Sequence, residues 1–547
     1  MPTGAELFVD AIRQLGVNRI FTLVGDHLNA ALQCAAARGL EIFDMRHESA
    51  VVHAADAWTR ITRRPAVALV TGGPGHTNSL TGVATAFAVG SPVITVSGSR
   101  PSTQAERGAF QDLDQLAMIR PVVKWAATPP SAGQIPFYVR RAWSEATAGR
   151  MGPVHLTIPV DLFTAQANES AQQMAPAPYR APAPDSRDID RAVAMLRSAA
   201  RPIVIAGSGV WWARAEENLR RFAEQTRLPL FTIALGRGAL PDQHPCSFGY
   251  ADPALNRAAA KAFQEADLFL ALGKRIDFRF GLGSARVFPA GAKFIQVDIE
   301  PTELGLNRRV DLGICADVGA ALTALADASG PNPWPELPWI ARLRSLTAEW
   351  RDELEIIAGD AAVPLHPAAV YRELKRVLPA GTLYSWDGGD FVHWGRAMIP
   401  ASTPGGWLRL GPMATIGAGL PNALALKLAN PSPPVVLITG DGALGCYIAE
   451  LDTAVRHNLP IVIVVGNDAG WGLERELQGG RDTVACELRR TRYDQVMQGF
   501  GGCGELIQTL DQVRPAVERA LASARPYVLN VEIRGVRSPF TTWRLGG

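Results

Sequence analysis

The sequence carries almost no net charge. Its 54 basic and 52 acidic side chains leave a formal +2 over 547 residues, which gives no electrostatic case for nucleic acid or an anionic membrane as partner. Cysteine is scarce. Cys34, Cys246, Cys315, Cys446, Cys486 and Cys503 are scattered without metal-ligand spacing and read as reduced thiols, an expectation that fits a cytoplasmic protein. No stretch of ~20 uncharged apolar residues is present, so no membrane span is expected. Residues 1–20 carry acids early and no long apolar run, so no signal peptide is expected. Short-period tandem repeats are also missing, which excludes solenoids and propellers.

What the chain does have is hydrophobic bulk, 47% of its residues, and a length that implies about three domains of ~150 residues each. Short β-like runs at Ile20–Val24, Ala66–Thr71, Val93–Ser97 and Val154–Ile158 alternate with helical patterns, predicting a doubly wound α/β domain over 1–170. The Pro/Ala-rich segment 171–187 reads as a linker. A second α/β unit is expected over 188–330, from Pro202–Ala206, Leu268–Leu272 and Lys293–Val297. A linker and charged helix at 331–360 then lead to a third α/β domain over 361–547. The fold class predicted is α/β, with three doubly wound parallel sheets.

The most informative stretch is Pro433–Gly472. The apolar run Val435–Thr439 meets Gly440-Asp441-Gly442; a predicted helix Cys446–Arg456 follows, and a second apolar run, Ile461–Val465, ends in Asn467-Asp468-Ala469-Gly470. Strand, glycine turn, helix and strand place both turns at the carboxyl ends of neighbouring parallel strands, where ligands bind. Asp441 and Asp468 offer the hard oxygens that Mg²⁺ takes alongside phosphate and water, and the glycines let backbone amides approach a phosphate. Near the other end, Glu48 follows a short strand and opens an amphipathic helix. It either complements the helix dipole or faces a ligand. Thr71-Gly72-Gly73-Pro74-Gly75 leads through to Asn78, another strand-to-helix turn.

These motifs, in this order, resemble the thiamine diphosphate-dependent enzymes, and most closely the acetolactate synthase large subunit, benzaldehyde lyase and 2-hydroxyacyl-CoA lyase group. The resemblance implies a pyrimidine-binding, a middle and a diphosphate-binding domain. It implies Asp441, Asp468 and the Gly470 carbonyl as Mg²⁺ ligands, with Asp468 standing where the family has asparagine. Glu48 matches the acid that hydrogen-bonds the aminopyrimidine ring. Pro74, Asn78, Asp387, Gly388, Gly389, Gly440, Gly442, Ala443 and Trp471 match cofactor contacts. Ile416 matches the apolar side chain beneath the bent cofactor, or is a core isoleucine. Because the family takes its pyrimidine and diphosphate ends from different subunits, the resemblance implies a homodimer at minimum and points to a homotetramer. Gly207-Ser208-Gly209, together with Lys274, Arg275 and Arg279, leaves open FAD or an ADP/CoA moiety in the middle domain, with a structural role placed first.

The same resemblance implies an enzyme that makes or breaks a C–C bond beside a carbonyl in a small 2-keto acid, carbonyl or 2-hydroxyacyl substrate. Gln111 matches the glutamine of the carboligases, where the decarboxylases have a histidine pair in place of Phe110-Gln111. Asp26 and His27 lie at the expected pocket mouth. Glu474 matches a proton-relay acid of the decarboxylases; in an apolar pocket with Trp471 and Leu477 it would serve as a general acid. The alternatives are a 2-hydroxyacyl-CoA lyase, a 2-keto acid decarboxylase, and a catalytically inactive regulatory subunit that binds the cofactor.

Overall fold

Runs rich in valine, isoleucine and leucine, bounded by glycine and proline, become buried parallel strands, because helices cover both faces of such sheets. The computed structural model describes residues 1–167 and 181–546; the linker expected at 171–187 lies mainly outside the described residues. Among those described are three six-stranded sheets.

The first sheet contains β1 (Arg19–Thr22), β2 (Glu41–Asp44), β3 (Ala66–Val70), β4 (Val93–Ser99), β5 (Ala126–Ala127) and β6 (Val154–Pro159), in the order β2-β1-β3-β4-β6-β5. The second contains β7 (Pro202–Ala206), β8 (Leu230–Thr232), β9 (Ser247–Tyr250), β10 (Leu268–Leu272), β11 (Lys293–Asp298) and β12 (Leu312–Cys315), in the order β12-β11-β10-β7-β8-β9. The third contains β13 (Leu383–Trp386), β14 (Trp407–Arg409), β15 (Val435–Gly440), β16 (Val462–Asn467), β17 (Cys503–Ile507) and β18 (Tyr527–Glu532), in the order β14-β13-β15-β16-β18-β17. Neighbouring strands are parallel throughout. The first and third sheets share one strand order, a kinship that sequence spacing does not reveal. Each reverses direction between its first and third strands in chain order, and such switch points open crevices at the strands' carboxyl ends.

The chain divides into two compact units. One holds residues 1–179, 410–432 and 445–461; the other holds 180–409, 433–444 and 462–547. In the first, the helix Gly419–Ala429 packs against Glu48–Thr62. Both are largely buried; the first buries polar side chains as well, among them His53, Asp56, Thr59 and Arg60. The predicted helix Cys446–Arg456 is instead two, Asp441–Cys446 and Glu450–Arg456. Gly442 and Gly445 weaken the helix. At the break, Tyr447 hydrogen-bonds Ser49 Oγ at 2.8 Å and sets its ring edge-on to His47 and His53.

Asp56 and Arg60 form an ion pair of 2.7 Å within the buried helix Glu48–Thr62. Removing one partner of such a pair leaves an uncompensated buried charge. Asp56→Ala should therefore destabilise the protein by about 3–5 kcal/mol, read as a lower urea midpoint; a shift no larger than that of a surface Asp→Ala change would contradict it.

Candidate functional site

In the first unit the switch point lies between β1 and β3. The turn after β3 is Thr71-Gly72-Gly73. Gly73 adopts φ +58° and precedes the helix Pro74–Val89; Pro74 suits that first position, since it has no N–H to leave unsatisfied. Glu48 is the first residue of its helix and is nearly buried. Asn78 Nδ2 donates to Glu48 Oε2 at 3.0 Å. A Cβ on Gly75 would stand 3.5 Å from Glu48 Oε1, so the missing side chain leaves room beside the carboxylate. Glu48, Pro74 and Asn78 therefore converge.

Gln111 joins them by an unusual backbone. It is a non-glycine residue at φ +55°, a conformation that costs about a kcal/mol or more, and it lays its side chain on Gly73, where a Cβ would be 2.8 Å from Gln111 Cβ. Its Oε1 is buried without a hydrogen-bond partner. Such an atom is costly unless a ligand donor meets it.

His27 and Asp26 behave differently from each other. His27 is buried and accepts from Gly72 N–H at Nδ1 (3.2 Å), beside Thr71 Oγ1 (3.1 Å). Its ring proton therefore sits on Nε2, and burial lowers its pKa despite the Asp26 charge. Asp26 points outward, 66% exposed. His27 thus holds the Gly72 turn, while Asp26 remains at the surface.

Several residues of this unit that no motif singles out support the same turn. Gln115 Oε1 accepts from Gly73 N at 3.1 Å. Glu450 accepts from Arg46 N at 3.1 Å and from Thr453 Oγ1 at 2.6 Å, fixing the loop that delivers Glu48. Burial raises the pKa of Glu450. Ile416 is 38% exposed, so it is not a core isoleucine.

In the second unit the switch point lies between β13 and β15. Asp387 accepts from Thr439 Oγ1 at 3.2 Å and from Gly388 N at 2.9 Å, so it shapes its own turn. Gly389 at φ +103° starts the helix Asp390–Met398. Gly440 ends β15, and Asp441, Gly442 and Ala443 open the helix that follows. Gly442 is required by packing: a Cβ there would stand 2.7 Å from the Trp471 ring. Asp441 Oδ2 accepts from Gly470 N at 3.0 Å, which brings the two turns together.

Burial, then the Asp468 charge, pushes Asp441 up to about 7. Burial pushes Asp468 up to about 6, with Arg475 opposing. Among the described residues no three His, Cys, Asp or Glu side chains form a ready metal cluster. Two buried carboxylates that repel one another nevertheless suit a dication that retains phosphate oxygens and water.

Glu474 is exposed on the short helix Gly472–Leu477, not enclosed by Trp471 and Leu477 as expected. The terminal Pro539–Arg544 is a packed helix: Ser538 and Thr541 hydrogen-bond Asp390, and Phe540 stacks on His393 at 4.2 Å. Lys274 pairs with Asp277 at 2.6 Å and Arg279 with Asp252 at 3.3 Å, so neither faces solvent. At the middle sheet's switch point, Gly209 N donates to Gly273 O at 3.0 Å, and a Cβ on Gly207 would stand 2.6 Å from Lys274 Cβ. Backbone meets backbone there.

A carboxyl whose pKa is raised on folding contributes stability below its unfolded value, 3.8, and loses it as pH rises through the folded value, about 7 for Asp441. The metal-free protein should therefore lose stability, on the order of a few kcal/mol at most, between about pH 4 and pH 7. Urea unfolding of the dialysed protein across this range measures it. Asp441→Asn should flatten the slope; an equally steep slope in that variant would show that other groups cause it.

Comparison with known proteins shows the family. Residues 2–118 match the thiamine pyrophosphate enzyme N-terminal TPP binding domain, 189–325 the central domain and 387–531 the C-terminal TPP binding domain. The acetolactate synthase large subunit IlvG of Mycobacterium tuberculosis is 37% identical over 534 residues, covering 96% of this chain and 95% of its own. The 2-hydroxyacyl-CoA lyase 1 of Mus musculus is 30% identical over 552 residues, covering 97% and 94%. The human 2-hydroxyacyl-CoA lyase 2 is 31% identical over 580 residues, covering 97% and 90%. The chain belongs to the thiamine pyrophosphate enzymes, in the group of acetolactate synthases and 2-hydroxyacyl-CoA lyases that make or break carbon–carbon bonds.

Proposed function

We propose that the chain is an acyloin- or acetolactate-type carboligase, acting on a small 2-keto acid or related carbonyl compound with thiamine diphosphate and Mg²⁺. The observation that carries this reading is Gln111, held at φ +55° with a buried, unpartnered Oε1 where the related decarboxylases place histidine. The Nε2 of this neutral amide can donate to a carbonyl substrate while Oε1 awaits a ligand donor, and the amide has no acidic proton to transfer, which favours transfer to a second carbonyl over simple protonation.

Bound thiamine diphosphate supplies the centre that stabilises a carbanion. The chain's own residues do the rest. Glu48, positioned by Asn78, holds a proton at the aminopyrimidine end. Asp441, Asp468 and the Gly470 carbonyl would hold Mg²⁺, and the Gly442 turn leaves backbone amides for the diphosphate. His27, neutral and bound to Gly72, keeps the turn in shape. Ile416, exposed within one chain, is available to support a cofactor. Glu474, also exposed, is available to relay a proton to substrate. A homodimer at minimum, or a homotetramer, and a cytoplasmic location belong to this reading. The middle domain is structural in it, supported by the backbone contact of Gly207 and Gly209 with the Gly273 turn, so purified protein should lack FAD absorbance.

The second reading, a 2-hydroxyacyl-CoA lyase, is favoured by relatives of that name at 30–31% identity. Turnover of pyruvate and other 2-keto acids, aromatic acyloins and 2-hydroxyacyl-CoAs separates the two. Carboligation of 2-keto acids supports the first; cleavage of the thioesters alone overturns it in favour of the second.

Glu48→Gln should lower turnover by about 10²–10⁴-fold while leaving circular dichroism and melting unchanged. Near-normal exchange of the thiazolium C2 proton in this variant would sink the role given to Glu48. Glu474→Gln and Gln111→Ala should leave cofactor affinity nearly unchanged and alter the distribution of products. Unchanged product ratios in both variants would remove these side chains from the reacting centre.

A further inference from the structure

The family's asparagine is an aspartate here, which adds a negative charge beside the place for a diphosphate. Asp468 lies at the end of β16 with its side chain largely buried. Its surroundings are cut to fit: a Cβ on Gly472 would stand 2.7 Å from Asp468 Oδ2, and one on Gly535 2.9 Å. Into the same space comes Arg475, one turn along the helix Gly472–Leu477. Arg475 Nη1 lies 3.4 Å from Asp468 Oδ2, and Nη2 donates to Ala469 O at 3.5 Å. Glu487 fixes the guanidinium from behind, accepting from Nε at 3.0 Å and from Nη2 at 3.1 Å. Gly470 must be glycine, because a Cβ there would stand 2.6 Å from the backbone oxygen of Cys486 and overlap Arg475 Nη2 as well.

Counting charges shows why Arg475 matters more than its neighbours. Asp468 senses Asp390 and Asp441 as like charges, and Arg475 and Arg490 as opposite ones. Asp390 stays anionic, its carboxylate hydrogen-bonded by Ser538 and Thr541, and adds to the negative charge that a cation must offset. Arg490 is exposed and donates to Asn467 O at 3.1 Å, so solvent screens it. Arg475 is the cation that sits partly buried against the carboxylate itself.

We propose that Arg475 is a positioning residue that carries the counter-charge for Asp468, so that an aspartate can stand among the metal-binding groups without repelling a diphosphate. This rests on the thiamine diphosphate reading of the site. The pair together contributes no net charge, as the family's neutral asparagine does; Glu487, on the far side of the guanidinium, is exposed and its charge is screened by solvent. Without Arg475, the turn becomes more attractive to a bare dication and less attractive to the anionic Mg²⁺–diphosphate group.

That opposition of signs is the test. Calorimetry on dialysed full-length protein uses MgCl₂ alone, and thiamine diphosphate at saturating Mg²⁺. Arg475→Met should bind Mg²⁺ alone about tenfold more tightly and thiamine diphosphate about tenfold more weakly, the size expected of one partly screened charge at close range. Arg475→Lys keeps the charge and should stay within about threefold of the parent. Asp468→Asn should retain cofactor binding, and Asp468→Asn/Arg475→Met should return cofactor affinity to within about threefold of the parent, because the net charge is restored. Arg475→Met with both affinities unchanged, or a double variant as weak as Arg475→Met alone, overturns the proposal. Parent protein that binds no thiamine diphosphate at saturating Mg²⁺ would instead overturn the reading of the site. The Mg²⁺-only titration would still decide the role of Arg475.

Discussion

Everything chemical in this chain depends on one constraint of parallel sheets: all strands of a sheet end at the same edge. Where strand order reverses, the loops on either side diverge and leave an opening. In the first sheet that opening is bordered by the His27 loop after β1 and the Gly72-Gly73 turn after β3. In the third it is bordered by Asp387 after β13 and Asp441 after β15. The equivalent place in the middle sheet is filled by glycine backbones packed on each other. One topology therefore yields two sites built from polar groups, and a third position sealed by close contact.

Within the diphosphate-side turn the controlling quantity is charge. Burial raises the pKa of both Asp441 and Asp468, and the Asp468 charge raises Asp441 further. Local geometry answers in two ways. Backbone N–H groups approach Asp441 from Gly470, and Arg475 approaches Asp468. Both approaches need glycines, at 470, 472 and 535, that no composition argument would single out.

How much of this was legible in the sequence varies with the range of the interaction. Short apolar runs such as Pro202–Ala206 and Leu268–Leu272 coincide with strands, because burial on both sheet faces demands uninterrupted hydrophobicity. The glycine turns were visible for the same local reason. The helix Cys446–Arg456 was misread, because its break is made by Tyr447 reaching Ser49, some four hundred residues earlier in the chain. Glu450 and Gln115 were missed since each acts on a backbone N–H distant in sequence. The left-handed Gln111 left no pattern either, as a glutamine in that conformation cannot be told from any other. Asp468 stands out in the sequence as a departure, but no pattern there pairs it with Arg475, seven residues further on.

The helix Gly419–Ala429 covers the helix Glu48–Thr62 within one unit, although the chain between them, after completing the first sheet, builds the second sheet and begins the third. During synthesis the earlier helix emerges long before its cover exists. At ribosomal speeds of ~5–20 residues per second, the wait is on the order of tens of seconds. Through that interval the face of Glu48–Thr62 that Gly419–Ala429 covers lacks its partner, while the helix Pro74–Val89 already packs on another side. The unit that carries Glu48 therefore cannot mature as an independent N-terminal domain. Its completion is tied to translation of the last quarter of the protein, so a chain cut short before Gly419 would lack the helix that covers Glu48–Thr62.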